Sequence, residues 1–222
     1  MITQIKNFYY DSIDSTNEES KRLIDSGKIK EISVIVADEQ TKGKGTRGRT
    51  WVSPKGAGIY LSVIHVIARA KSPKQSLNEF RNEIASSALS GLPRNDTHFT
   101  KSAAIACVEA IKEICNIETK IKPINDIYAD GKKLGGILVE TRLNKNEISA
   151  LITGIGINTH VACRGAIDRA HISIEELTQE RFNDFSKEKP IEKIVEKVCF
   201  WHKIVFNGEF DKIEKVYSSL IL

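Results

Sequence analysis

The chain has 222 residues, of which 41% are hydrophobic and 28% charged. That supplies one large domain with a core of its own and removes any need for disulfides or a metal to hold the fold. Thirty-three basic against 29 acidic residues leave a net charge of +4, too mild to point to nucleic acid by itself. Cys107, Cys115, Cys163 and Cys199 form no CxxC pair and no Cys/His metal spacing, which predicts free thiols in a reducing compartment. The first twenty residues contain no apolar signal core, and no apolar run is long enough to span a bilayer. A soluble, cytoplasmic protein is expected.

In chain order, Phe8 to Asp11 reads as a short strand, and Ser15 or Thr16 can cap a helix running to about Asp25. Ile32 to Ala37 is β-branched and predicts a buried strand, and Gly58 to Val66 a second. Between them lies a glycine- and cation-rich loop, residues 41–49. Residues 68–98 are polar and broken by Pro73, Gly91 and Pro93, an elaborated connection with room for a helix at Leu77 to Leu89. Thr100 to Ile114 carries apolar residues at helical spacing, with Thr100 or Ser102 as cap. Ile117 to Ile121 predicts a strand, followed by the turn-rich PINDIYADGKK, a strand over Leu134 to Glu140, a turn at 144–146 and a strand over Ile148 to Ile157. Pro190 opens a helix, and a second short helix ends the chain. Hairpins of this kind predict an α+β fold with a mixed, largely antiparallel sheet and packed helices.

Four segments carry chemistry. Gly43, Gly45 and Gly48 let the backbone of the loop approach a ligand, while Lys44, Arg47 and Arg49 bring cations and Trp51 a flat face. A solvated basic turn is the plainer alternative, and the loop is neither GxxxxGK[ST] nor GxGxxG. Lys122 stands at a strand end before Asn125 and Asp126, suited to a developing phosphate or acyl oxyanion, although Asn-Asp is also ordinary turn chemistry. Gly135 and Gly136 leave room for a ligand or mark a bulge. The remaining segments are GIGIN, ending in Asn158, and Asp14-Ser15-Thr16-Asn17, a helix cap or a polar cluster for a small ligand.

GKGTRGRTWVSPKGAGIYLS, KPINDIY, KLGGILVE and GIGIN, in this order, resemble the catalytic domain of biotin–protein ligases over about Phe8 to Asn158. The resemblance implies a class II aminoacyl-tRNA synthetase-like fold and an ATP-dependent, AMP-forming ligase. Such an enzyme joins biotin to AMP and then passes it to a lysine of a biotin carboxyl carrier domain. By position, Ser15, Thr16, Asn17 and Gln40 would contact biotin; Lys44, Gly45 and Thr46 would line its junction with the nucleotide; and Gly135 and Gly136 would wall its pocket. Arg47, Arg49 and Lys122 would be catalytic toward the phosphates and acyl oxygen, and Trp51, Asn125 and Asn158 would serve the nucleotide. Mg²⁺ would arrive on the bound phosphates. The loop carries Lys44 and Thr46 where relatives often have arginines, and Pro123-Ile124 where they have Trp-Pro. One catalytic domain over 1–222 is implied, with no winged-helix DNA reader, no C-terminal β-barrel, no specific DNA partner and no membrane partner. A homodimer is compatible with it.

Two other readings stand beside this one. A lipoate- or octanoate-transferring relative shares the fold but lacks the loop in this form. A basic-loop module for nucleic acid would need a stacking array, which 7% aromatic residues do not suggest.

Overall fold

The computed structural model describes residues 5–67, 96–144, 147–160, 171–178 and 187–222. Strands β1 (Lys6–Tyr10), β2 (Ser33–Ala37), β3 (Gly58–Val66), β4 (Lys120–Lys122), β5 (Asp126–Ala129), β6 (Lys132–Asn144) and β7 (Glu147–Asn158) build one sheet in the order β1-β2-β3-β7-β6-β5-β4. Among the described strands only the β1–β2 pair is parallel, and the connection between them contains helix α1 (Thr16–Asp25), as a parallel pair requires. The other helices are α2 (Asp96–Cys115), α3 (Ile174–Thr178), α4 (Glu188–Phe206) and α5 (Phe210–Leu220). The expected α+β class with a mixed, mostly antiparallel sheet is the one found.

The two faces of the sheet differ. One face is buried under α2, α4 and α5. Val34, Val36, Leu61, Val63, Ile137, Leu151, Ile155 and Ile157 from the strands meet Phe99, Ala103, Ala104, Ala110 and Ile111 of α2 and the apolar side of α4. Alanines at 0% exposure let α2 lie close to the strands. The opposite face carries a smaller cluster, Leu23, Ile29, Ile35, Ile64 and Ala150, under α1. The rest of that face holds the cleft described below.

Some expected boundaries move. Helix α2 begins at Asp96, so Thr100 and Ser102 are not caps; they lie inside it, where the Ser102 hydroxyl donates to the Phe99 carbonyl at 2.9 Å. The strand expected at Ile117 to Ile121 is Lys120–Lys122, because Asn116 turns the chain out of α2 in the left-handed region (φ 54°) first. The PINDIY segment, expected as a turn, contains strand β5. The connection at 68–95, with the helix expected at Leu77 to Leu89, lies outside the described residues, as does Cys163. Cys107, Cys115 and Cys199 are free thiols. Among the described residues no helix is long and apolar enough to cross a membrane.

Candidate active site

The floor of the cleft follows from strand register. Ser62, Gly154 and Leu138 stand in one row across β3, β7 and β6, and Tyr60, Gly156 and Gly136 in the next. Glycine at 154 and 156 is a packing requirement. A Cβ at Gly154 would sit 2.5 Å from Asn17 Oδ1, and one at Gly156 would run into the Trp51 indole. Asn17 therefore covers the first row and Trp51 the second, leaving a cavity of about 340 Å³ between them, the loop and α1.

One wall is the start of α1. Ser15 occupies the N-cap, yet its side chain makes no cap hydrogen bond, which leaves its hydroxyl for a ligand. The Thr16 backbone N–H donates to Gln40 Oε1 at 2.9 Å, and the Gln40 amide donates to Ser53 Oγ at 2.8 Å. Asn17 donates to Glu140 at 2.7 Å and accepts from Ser62 at 2.6 Å. Side chains at this end are thus held in place and mostly buried.

The glycine-basic loop forms the mouth. It folds back on itself through Gly45 N–H to the Arg49 carbonyl (2.7 Å) and Trp51 N–H to the Gly43 carbonyl (2.9 Å). Arg49 donates to Thr46 Oγ1 at 2.9 Å, and Lys44 is paired with Glu18 at 2.6 Å. Hydrogen bonds from Lys21 and then Lys44 hold the Glu18 carboxyl below its ordinary value. The Trp51 indole N–H is buried and has no partner among the described residues.

At the Gly136 end stand Lys133 and Asp126, an ion pair of 2.6 Å with side chains 12% and 11% exposed. The Lys133 ammonium also lies 5.2 Å from the centre of the Trp51 ring. Among the described lining residues, Lys44, Arg49 and Lys133 stand against one carboxylate, Asp126, a positive excess suited to an anion. The donors do not fit a protein-held magnesium ion. Asp126 is already paired, and no group of three or more His, Cys, Asp or Glu among the described residues could hold a metal.

Of the expected site residues, the fold gathers Ser15, Thr16, Asn17, Gln40, Lys44, Gly45, Thr46, Arg49, Trp51, Asn125 and Gly136 around this cavity. Four do not line it. Lys122 is exposed on the edge strand β4, one strand beyond Asp126, with its ammonium 5.1 Å from the Tyr128 ring centre. Arg47 is exposed at the tip of the loop in the left-handed region (φ 59°). Gly135 belongs to the helix-covered side, where a Cβ would press on the Gly156 carbonyl. Asn158 is buried and donates to the Ile172 carbonyl at 3.2 Å, tying the end of β7 to residues 171–173. In their place the lining includes Lys133, Asp126, Thr50, His171, Gly154 and Gly156. Strand alternation would put Lys133 on the same side as Gly135. The register between β5 and β6 shifts from Ile127↔Gly135 to Tyr128↔Lys133, and this bulge turns Lys133 to the cleft.

Residues 9–158 match the biotin/lipoate A/B protein ligase family. The chain belongs to that family. It is 33% identical over 152 residues to the bifunctional ligase/repressor BirA of Bacillus subtilis, covering 68% of this chain and 40% of that protein. The chain thus spans about 40% of the length of that relative. The fold is shared with the Aquifex aeolicus biotin protein ligase solved in complex with biotin and ATP, at a TM-score of 0.71 and 24% identity over 98% of this chain and 78% of that one. It is shared too with the Leishmania major biotin protein ligase in complex with biotinyl-5-AMP (TM-score 0.65, 22% identity, 94% and 81% covered).

Proposed function

We propose that this chain is a biotin–protein ligase that uses ATP to activate biotin and transfers it to a lysine of a biotin carboxyl carrier domain. The division of the cleft carries this reading. One end is polar and rigid (Ser15, Thr16, Gln40), the floor is glycine and Leu138, and the other end and the mouth are cationic (Lys133, Arg49, Lys44). Biotin has the matching order: a hydrogen-bonding ureido ring, an apolar arm and a carboxylate that must meet a phosphate. A lipoyl or octanoyl group brings no such ring and would leave the polar end unpaired, which is costly in a buried site.

In the first step a biotin carboxylate oxygen attacks the α-phosphorus of ATP, the α–β phosphoanhydride bond breaks, and pyrophosphate leaves. In the second the acceptor amine attacks the acyl carbon, the bond to AMP breaks, and the amine proton passes to solvent. Both transition states gather negative charge on oxygens at the junction of biotin and phosphate. Lys133, fixed by Asp126 and Trp51, is the ammonium placed to face it, with Arg49 and Lys44 adding charge from the loop. On these grounds we assign to Lys133 the role that the resemblance implies for Lys122. Asn125, whose amide donates to the Ile137 carbonyl at 3.0 Å, walls the nucleotide side.

Biotin-dependent exchange of labelled pyrophosphate into ATP tests the proposal. Exchange supported by biotin and not by lipoate or octanoate is expected, and the reverse pattern would assign the chain to the lipoate branch of its family.

A further inference from the structure

The cleft's polar end depends on a side chain that does not itself line it. Glu140 projects from β6 on the cleft side of the sheet, in the row after Leu138. Its Oε2 accepts from Asn17 Nδ2 at 2.7 Å, and its Oε1 accepts from the Lys21 ammonium at 2.8 Å. Asn17 is 3% exposed and Ser62, which donates to Asn17 Oδ1 at 2.6 Å, is 0% exposed.

These partners leave Asn17 one orientation. A carboxylate only accepts, so the NH₂ of the amide must face Glu140; the Ser62 hydroxyl donates to the oxygen on the other side. The second amide proton has the Leu138 carbonyl, at 3.4 Å, as its neighbour. Asn17 Oδ1 also occupies the space that a Cβ at Gly154 would need, so the side chain spans β3, β7 and β6 at once. Asn17 follows Ser15 and Thr16 directly in the chain, and pinning it sets where those two residues stand.

We propose that Glu140 is a positioning residue for the ring of the acyl substrate. By clamping the Asn17 amide against Ser62, it holds the first turn of α1, and with it Ser15 and Thr16, in register with Gln40. Lys21 completes the clamp. It bridges Glu140 to Glu18 (2.8 Å to each), so the same carboxylate also braces the partner of Lys44 in the loop. Glu140 touches no reacting atom in this scheme. It acts through Asn17, as outer partners do when they orient a binding side chain. The inference rests on the cleft accepting a ring-bearing acid such as biotin.

Calorimetry on the full chain separates the two ideas. The wild type is titrated with biotin, with lipoate and with ATP, and the acid it takes is then used for every variant. A wild type that takes lipoate refutes the proposed substrate while leaving Glu140 open to the same test; one that takes neither overturns both. Glu140→Ala is expected to weaken binding of that acid roughly ten- to a hundredfold and to leave ATP affinity within about twofold. Glu140→Gln, which keeps an acceptor oxygen, should recover most of the loss. Asn17→Ala and the double variant Asn17→Ala/Glu140→Ala should bind the acid equally weakly, because one acts through the other. Unchanged acid affinity in Glu140→Ala, equal loss of acid and ATP, or additive losses in the double variant would overturn the role. If Glu140→Ala does not fold, Ser62→Ala removes the opposite side of the same clamp. It must show the same acid-selective loss, and wild-type affinity in it overturns the proposal.

Discussion

The two faces of the sheet use the same strands for opposite ends. On the helix-covered face, Leu61, Val63, Leu151 and Ile155 interlock with Phe99 and the alanines of α2 in one apolar core. On the cleft face the same strands present Ser62, Gly154, Gly156 and Gly136, residues that subtract volume, and two side chains, Asn17 and Trp51, span the gap. The larger core packs on the first face, and the candidate site lies on the second. What separates them is one residue of register in each strand.

That contrast can be broken from either side. Phe99 is fully buried against His202 and Phe206, so Phe99→Ala should cost about 3–5 kcal/mol of unfolding free energy. Denaturant melts would read that loss, while affinity for biotin, the proposed substrate, stays put in the folded fraction. A fall in affinity as large as the fall in stability would show that the faces are coupled.

On the cleft face, Lys133→Ala should lower the adenylation rate about a hundredfold or more, roughly 2.7–4 kcal/mol, if it acts as one electrostatic donor to the transition state. Single-turnover kinetics would show the drop with little change in melting temperature. A wild-type rate would remove Lys133 from the chemistry.

Acid should attack the helix-covered face first. His65 on β3 and His202 on α4 meet with Nδ1 atoms 3.4 Å apart, enclosed by Phe99 and Phe206. Burial pushes His65 from the ordinary 6.5 down to about 4. Burial, and after it the charge of His65, hold His202 well below its usual value. The folded protein therefore binds fewer protons than the unfolded chain between these limits. Stability is complete above pH ~6.5 and falls as pH drops toward 4, by roughly 3 kcal/mol for His65 alone. The slope of unfolding free energy against pH should flatten in His65→Gln, and an equal slope in the two proteins would contradict the assignment.

The smallest effect is expected at Lys122. Exposed on β4 and resting on Tyr128, it should tolerate Lys122→Ala within about 0.5 kcal/mol in stability and with an unchanged adenylation rate. A large rate loss there would return the catalytic lysine to the edge strand.

Much of this was legible before the fold. Ser15 at the start of α1, the strand Gly58–Val66 and the long helices follow from caps and apolar spacing, because those signals are local. Lys44, Gly45, Thr46 and Arg49 of the glycine-basic loop do meet Ser15 to Asn17 at one cleft, since each segment is short and leads directly into or out of an element of the fold. Residue order alone could not choose between two lysines eleven positions apart, both near glycine or turn residues. Which of them lines the cleft is decided by the β5–β6 bulge, which turns Lys133 inward, and by the edge position of β4, where Lys122 is exposed. Nor could it place Glu140 beside Asn17, 123 residues away in the chain. A bulge is set by how two strands pair, and a clamp by which rows align across the sheet. Both are properties of contact between distant segments, so only the assembled sheet could decide them.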